Sequence, residues 1–133
     1  MKAGDLVMWL FVGLFGFIVW TAFGPAGTPA AASSGASSAS YKSAMASGLP
    51  VMLEFSATWC GPCQQVKPLV HELAGEVAGK AMVVPIDVDE HPDLAQKYGV
   101  RGIPCFVVVK NGKETARQVG GIPKSEMRRL LGL

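Results

Sequence analysis

Apolar residues follow two patterns in this chain: one long uninterrupted run near the start, and then short runs separated by turn residues. The short runs at residues 51–55, 81–88 and 105–110 have the length and composition of buried strands, and residues 114–119 follow the third across Asn111-Gly112, a typical hairpin turn. Helical spacing or helix start and stop signals occur at residues 41–46, 64–78, 89–98 and 125–131. The predicted order α, β, α, β, α, β, β, α is typical of a mixed sheet with helices on both faces.

Single residues inside these segments refine the prediction. Pro68 lies within the second helical segment and should kink it, because proline removes one backbone hydrogen bond. Pro85 argues against ordinary ladder pairing along the second strand for the same reason. Asp89 and Ser125 stand at the starts of the third and fourth helical segments, and both residue types cap helix N-termini. We therefore expect them to be the caps of those helices.

The longest apolar run, residues 6–23, contains eighteen residues without a charge. As a helix it would measure roughly 27 Å, which nearly spans a bilayer core, and Trp9 and Trp20 stand near its ends like interfacial anchors. The run is therefore predicted to be a retained transmembrane helix. A cleaved secretory signal is the alternative, since Ala30 and Ala32 form a small-residue processing pattern.

This apolar run predicts how the rest of the chain is organised. Residues 1–23 form the predicted anchor, residues 24–40, rich in Gly, Pro, Ala and Ser, a predicted flexible linker, and residues 41–133 one domain of ordinary size. Lys2 lies on the first flank, whereas no Lys or Arg follows the run until Lys42. The positive-inside bias therefore places the domain outside the cytoplasm, in a periplasm or equivalent space, and signal cleavage would secrete it into the same space.

The charge pattern bears on possible partners. The formal net charge is +2, and the basic residues are interspersed with Asp and Glu rather than gathered in a tract. Nucleic-acid binding is therefore not predicted.

The candidate chemistry lies at Cys60 and Cys63, which flank Gly61 and Pro62 between the first predicted strand and the following helical segment. Backbone N–H groups and the dipole at a helix start favour a thiolate, so Cys60 is expected to be the nucleophile. Cys63, one turn later, is expected to be carried into the domain, where burial keeps its thiol protonated. One cysteine would then attack and the other would resolve.

Two other uses of this cysteine pair are open at this point. A zinc site needs about four ligands, and only Cys105, His71 and His91 are left to complete one. A static disulfide between cysteines so close in sequence would remove little chain entropy. Redox chemistry is the favoured interpretation, with no metal or organic cofactor, and both histidines are interpreted as solvated.

Several separated motifs together resemble the thioredoxin family. They are Trp59-Cys60-Gly61-Pro62-Cys63, Lys67-Pro68, the segment from Lys97 to Pro104, Asn111-Gly112 and Val119-Gly120. The resemblance covers roughly residues 48–132. It implies the thioredoxin fold, an α/β fold whose mixed sheet has four strands, or five if residues 30–36 supply the family's first edge strand.

The resemblance also implies a substrate-binding surface around Cys60. The Ile103–Pro104 peptide bond would be cis and would lie against the cysteine pair, which leaves the Ile103 backbone free to pair with an extended substrate segment. The residues expected to bind substrate are Trp59, Gly61, Pro62, Ile103, Pro104 and Gly120.

Three further positions are interpreted through the resemblance. Glu54 aligns with the family's buried aspartate, which implies that it carries a proton to or from Cys63, and a buried unpaired carboxyl should have a raised pKa. Pro85 replaces a lysine that lies near this carboxyl in many thioredoxins, so a cation that would lower the pKa is missing. Cys105 replaces the usual threonine after the cis-proline and is either an accessory thiol or a small buried residue.

The function implied by the resemblance is thiol–disulfide exchange by a protein-disulfide reductase that acts on disulfide-containing proteins. Its redox-active group would be the Cys60–Cys63 disulfide itself. A reductant outside the cytoplasm would need a membrane thiol-transporting reductase as electron donor. The alternatives are a disulfide oxidase or isomerase of exported proteins, a tethered binding or chaperone module without turnover, and a secreted soluble thioredoxin.

Overall fold

Eight helices and strands follow one another in the computed structural model, which describes residues 38–133. In chain order they are α1 (Ser38–Ala46), β1 (Val51–Ser56), α2 (Gly61–Glu76), β2 (Met82–Asp87), α3 (Pro92–Lys97), β3 (Cys105–Lys110), β4 (Lys113–Val119) and α4 (Lys124–Leu131). This order confirms the one predicted from the apolar pattern. The predicted anchor and residues 30–36 lie outside the described residues, as does the predicted linker up to residue 37. None of the helices within residues 38–133 has the length and apolar content needed to cross a bilayer.

The four strands between residues 51 and 119 form one mixed sheet in the order β2-β1-β3-β4. β1 pairs in parallel with β2 and antiparallel with β3, and β3 pairs antiparallel with β4. Asn111 and Gly112 both have positive φ, 52° and 75°, which is the backbone that a two-residue hairpin turn requires. The central position of β1 explains why its first five residues are all buried.

Apolar side chains pack on both faces of the sheet. α1 and α3 cover one face through Ala44 and Leu94, which contact alternate residues of β1 and β3 such as Leu53 and Val107. α2 and α4 cover the other face, where the fully buried side chains include Phe106. Because successive strand residues point to opposite faces, the strands at the centre of this three-layer arrangement have continuous apolar sequences.

The helix boundaries differ from the prediction at several places. α1 begins at Ser38, so residues 38–40 are helical rather than part of the linker. α2 begins at Gly61, and Pro62 fits its first turn because the first N–H groups of a helix have no intrahelical partner. The helix continues through Pro68 to Glu76.

The two predicted N-caps are wrong. The Asp87 carboxylate, rather than Asp89, organises the turn before α3 by accepting from the N–H groups of Asp89 and Glu90. α3 therefore starts only at Pro92, with His91 in the cap position. At the last helix the cap position is Pro123 instead of Ser125, and no side chain caps it.

The first turn of α4 is held by ion pairs instead of a side-chain cap. The Lys124 ammonium lies 2.5 Å from carboxylate oxygens of both Glu72 and Glu76 on α2. Arg128 Nη1 adds a contact of 3.2 Å to Glu76. These contacts fix the last helix against the helix that carries the cysteine pair.

Pro85 is accommodated because β2 lies at an edge of the sheet. The N–H groups of Met82 and Val88 donate to the carbonyls of Pro50 and Ser56, so the backbone N–H groups of the even-numbered residues in this segment point towards β1. In a parallel ladder the backbone N–H groups of the intervening residues point away from the partner strand, so the position at which Pro85 lacks an N–H is on the side away from β1. The pairing of β1 with β2 therefore loses no hydrogen bond.

Candidate active site

The cysteine pair lies at the junction between β1 and α2. Cys60 occupies the N-cap position of α2 in an extended conformation, and its N–H donates to the Ala57 carbonyl at 3.2 Å. The Cys63 N–H donates to Cys60 Sγ at 3.3 Å. The first sulfur therefore takes the position that a capping oxygen occupies in other helices, where unpaired N–H groups and the helix dipole favour negative charge.

Cys60 and Cys63 form a disulfide, with their Cα atoms 5.3 Å apart. Cys60 is 5% exposed and Cys63 is 2% exposed. Both pack against Ala57, and the partly buried side chains of Val88 and Ile103 close this small cluster. The two cysteines are therefore close enough to join, and both are buried in the oxidised protein.

The residues predicted to bind substrate gather around the disulfide. Trp59 is 70% exposed, and its indole N–H donates to Asp89 Oδ2 at 2.8 Å. Gly61 and Pro62 are also exposed. We call the surface formed by Trp59, Gly61, Pro62, Ile103, Pro104 and Gly120 the docking surface.

Two loops carry the other members of the docking surface, of which Ile103 packs against the cysteine cluster. The Ile103–Pro104 peptide bond is cis, as the resemblance implied. The Gly120 N–H donates to the Pro104 carbonyl at 2.8 Å, which joins the end of β4 to the start of β3. Gly120 has a φ of 97°, a backbone conformation that residues with a Cβ atom rarely adopt, so this position requires glycine.

Sequence analysis missed one apolar side chain beside the docking surface. Val119 is 53% exposed at the end of β4, next to Gly120, and a Cβ added to Gly102 would lie 3.2 Å from its Cγ1 atom. An exposed large apolar residue at the end of an otherwise polar strand is the signal that points to it. Val119 therefore adds an exposed apolar side chain next to Gly120.

Glu54 is the buried charged residue of the described region, with 3% of its surface exposed. It lies two residues after Met52 in β1, so both side chains point to the face that α2 covers, and its register partners are Pro85 and Phe106. Burial raises the pKa of Glu54 to about 7, while a hydrogen bond from Ser56 and the positive charge of Lys67 act in the opposite direction. The carboxyl can therefore both hold and release a proton near neutral pH.

Cys105 lies in the sheet core rather than in the cluster that contains the disulfide. It is fully buried, and its register partner on β1 is Phe55, so it belongs to the face covered by α1 and α3. Glu54 points to the opposite face. Burial raises the pKa of the Cys105 thiol, and the nearby Arg117 guanidinium lowers it less.

The other metal-ligating residue types are dispersed. Within residues 38–133 no group of three or more His, Cys, Asp or Glu side chains is arranged to hold a metal ion. His71 is exposed on α2, whereas His91 is half-buried at the start of α3.

Comparison with protein-family models matches residues 33–132 to the model described as thioredoxin. Thioredoxin of Haemophilus influenzae is 43% identical over 81 residues, which cover 61% of this chain and 76% of that protein. Thioredoxin 1 of Nostoc sp. is 41% identical over 85 residues, or 64% of this chain and 79% of the relative. Thioredoxin of Synechocystis sp. is 41% identical over 92 residues, or 68% and 86%.

Proposed function

Because this chain belongs to the thioredoxin family, whose members are thiol–disulfide oxidoreductases, we propose that it is a protein-disulfide reductase tethered to the outer face of a cytoplasmic membrane. The observation that carries the catalytic part is the Cys60–Cys63 pair at the start of α2, beside the exposed residues Trp59, Gly61 and Pro62. The tether rests on the apolar sequence of residues 6–23. The redox-active group is the cysteine pair itself.

The first step is attack by Cys60. Its thiolate, stabilised at the helix N-terminus, forms a bond to one sulfur of the client disulfide, and the client disulfide breaks. The second client sulfur leaves as a thiolate and takes a proton from water. The docking surface would hold the client segment, with the Ile103 backbone pairing with it as an additional strand.

The second step is attack by Cys63 on the mixed disulfide. The Cys63 thiol transfers its proton to the Glu54 carboxylate, and its sulfur bonds to Cys60 Sγ. The bond between Cys60 and the client breaks, and the client sulfur leaves as a thiolate. The client gains two electrons, and the enzyme is left with the Cys60–Cys63 disulfide.

The proposed direction of electron flow follows from the residues between the cysteines. The Gly61-Pro62 pair resembles that of thioredoxins, whose reduction potential is about −270 mV, whereas a strong periplasmic oxidant has about −120 mV. Equilibration of the purified protein with glutathione buffers measures this potential. A value near the oxidising end would assign the protein to disulfide formation instead.

The proposed location determines the electron donor. Residues 6–23 would cross the membrane with Lys2 on the cytoplasmic side, so that the catalytic domain faces the outside. A domain in that position needs a membrane thiol-transporting reductase to reduce its disulfide after each cycle. Membrane fractionation and protease protection test the location. A mature protein that lacks residues 6–23 would contradict the tether and leave the redox chemistry intact.

Trapping with Cys63→Ser tests the reductase mechanism. The variant lacks the resolving thiol, so Cys60 should accumulate mixed disulfides with clients, which are visible on non-reducing gels and disappear with reductant. Cys60→Ser is the matched control and should trap nothing. Absence of adducts on Cys63→Ser in cells that contain oxidised clients would contradict the proposed exchange.

A further inference from the structure

The proton on Glu54 needs a route to solvent, because the proposed reduction delivers one proton to this carboxyl in each cycle. Glu54 is only 3% exposed, and its strand neighbours in the sheet are Pro85 and Phe106, neither of which carries an exchangeable side-chain proton. α2 contributes Cys63, the source of the proton, and Lys67, whose charge acts on the carboxyl. Lys67 is exposed, but within residues 38–133 no hydrogen bond joins its ammonium to the Glu54 carboxyl.

Ser56 has the chemistry and the position for this connection. Residues 54 and 56 point to the same face of β1, and Ser56 Oγ donates to Glu54 Oε2 at 3.4 Å. Within residues 38–133 it is the side chain that hydrogen-bonds the Glu54 carboxyl. Ser56 is half-buried at the end of β1, so its hydroxyl can contact both the carboxyl and solvent.

The backbone fixes Ser56 at this place. Its carbonyl accepts from the Val88 N–H at 2.9 Å. Its register partner on β2 is Asp87, the charged residue of that strand. The Asp87 carboxylate is engaged by the N–H groups of the following turn. The distance from Ser56 Oγ to Glu54 is longer than the 2.5–3.0 Å typical of such bonds, and catalytic hydrogen bonds commonly shorten during reaction.

We propose that Ser56 is the positioning residue through which the buried Glu54 carboxyl exchanges its proton with water. This inference rests on the proposed role of Glu54 as proton acceptor for Cys63. After the second step the Glu54 O–H proton passes to a lone pair of Ser56 Oγ, while the Ser56 hydroxyl proton passes to water. Glu54 is again a carboxylate, Ser56 is again neutral, and one proton has left the site.

Ser56→Val and Ser56→Thr test this role with side chains of nearly equal shape that suit a strand and differ in the hydroxyl. The full chain is reduced and mixed with the aromatic disulfide DTNB. The first aromatic thiolate is released by Cys60 attack and the second by Cys63, so the two rates separate the steps. The rate of the second release is measured from pH 5 to 9.

The second release should change in one variant only. Without the hydroxyl the ionised form of Glu54 loses a hydrogen bond, so Ser56→Val should move the pH midpoint upward by roughly one unit and slow the release roughly fivefold at pH 7. Ser56→Thr should keep the wild-type midpoint. The rate of the first release should be the same in the wild type and in both variants. If Ser56→Val does not fold, Ser56→Ala replaces it with the same expected shift.

Coincident pH profiles for the hydroxyl and non-hydroxyl variants would overturn the role of Ser56. Glu54→Gln separates this failure from that of the proposed mechanism. If Glu54→Gln slows the second release while the Ser56 variants coincide, Glu54 accepts the Cys63 proton but exchanges it with water by another route. If Glu54→Gln leaves the second release and its midpoint unchanged, the proton acceptor itself is wrong.

Discussion

The buried carboxyl of Glu54 should destabilise the folded protein at neutral and alkaline pH. Its pKa is raised from 4.5 to about 7 by burial, and each pKa unit corresponds to about 1.4 kcal/mol, so holding the anion inside the fold costs about 3 kcal/mol. The cost is absent below about pH 4.5, where the folded and unfolded chains both carry the proton. It grows as the pH rises towards 7 and is constant above it, because the unfolded chain releases its proton first.

Glu54→Gln removes this pH dependence while keeping the size of the side chain. Relative to the wild type, the variant should gain about 3 kcal/mol of unfolding free energy between pH 4.5 and pH 8, since the amide stays neutral throughout. Urea unfolding of both oxidised proteins across this range measures the difference, and pH effects of all shared groups cancel in it. With a typical urea dependence of about 1–3 kcal/mol per molar, the gap between the midpoints should change by roughly 1–3 M.

Glu76→Gln is the control for this experiment. The Lys124 ammonium holds the pKa of Glu76 below its usual range, so this exposed carboxylate favours the fold once ionised. Its replacement should therefore show no gain in relative stability as the pH rises. A gap between wild type and Glu54→Gln that stays constant from pH 4.5 to pH 8 would refute the claim that Glu54 is buried as described.

Three further substitutions test other parts of the structure. Asp89→Ala removes the acceptor of the Trp59 indole N–H and should shift the indole proton resonance while lowering stability by at most about 1 kcal/mol; an unmoved resonance would contradict the contact. Cys105→Ala should leave the rate of disulfide reduction unchanged and lower the unfolding free energy by roughly 1 kcal/mol, whereas a slower rate would make Cys105 an accessory thiol. Pro85→Val supplies the outer edge of β2 with an N–H donor and should increase concentration-dependent association in sedimentation velocity; association no greater than that of the wild type would show that the proline does not protect this edge.

The order of elements was predictable because β1, β2 and β3 are apolar enough to be recognised alone, while the polar β4 is indicated by the hairpin turn before it. The apolar run at the start of β1 and the Asn111-Gly112 turn are local signals, and neither depends on knowledge of the fold. The helix caps were less predictable because several residues compete for the same N–H groups. Asp87 engages the turn that Asp89 was expected to begin, and this competition depends on where β2 ends.

The candidate site was predictable in its sulfur chemistry and less so in its surroundings. The cysteine spacing and the helix that follows depend on residues adjacent in the sequence, and the motif around Pro104 implied the cis peptide bond. Ser56 and Glu54 share a face of β1 by strand alternation alone, but the burial of Glu54 and the exposure of Val119 depend on strand pairing and on which helix covers which face. Register is a property of paired strands, so a single strand's sequence does not contain it.

The sulfur that caps α2 connects the electrochemistry of the protein to the free energy of a helix end. The N–H of Cys63 points at Cys60 Sγ, and it would bind a thiolate more strongly than a disulfide sulfur, which favours the reduced form. For a two-electron couple, stabilising the reduced form by about 1.4 kcal/mol raises the reduction potential by about 30 mV. A change in the first helical turn that weakens this contact would therefore make the protein a stronger electron donor, although it alters neither sulfur nor any atom that meets the client.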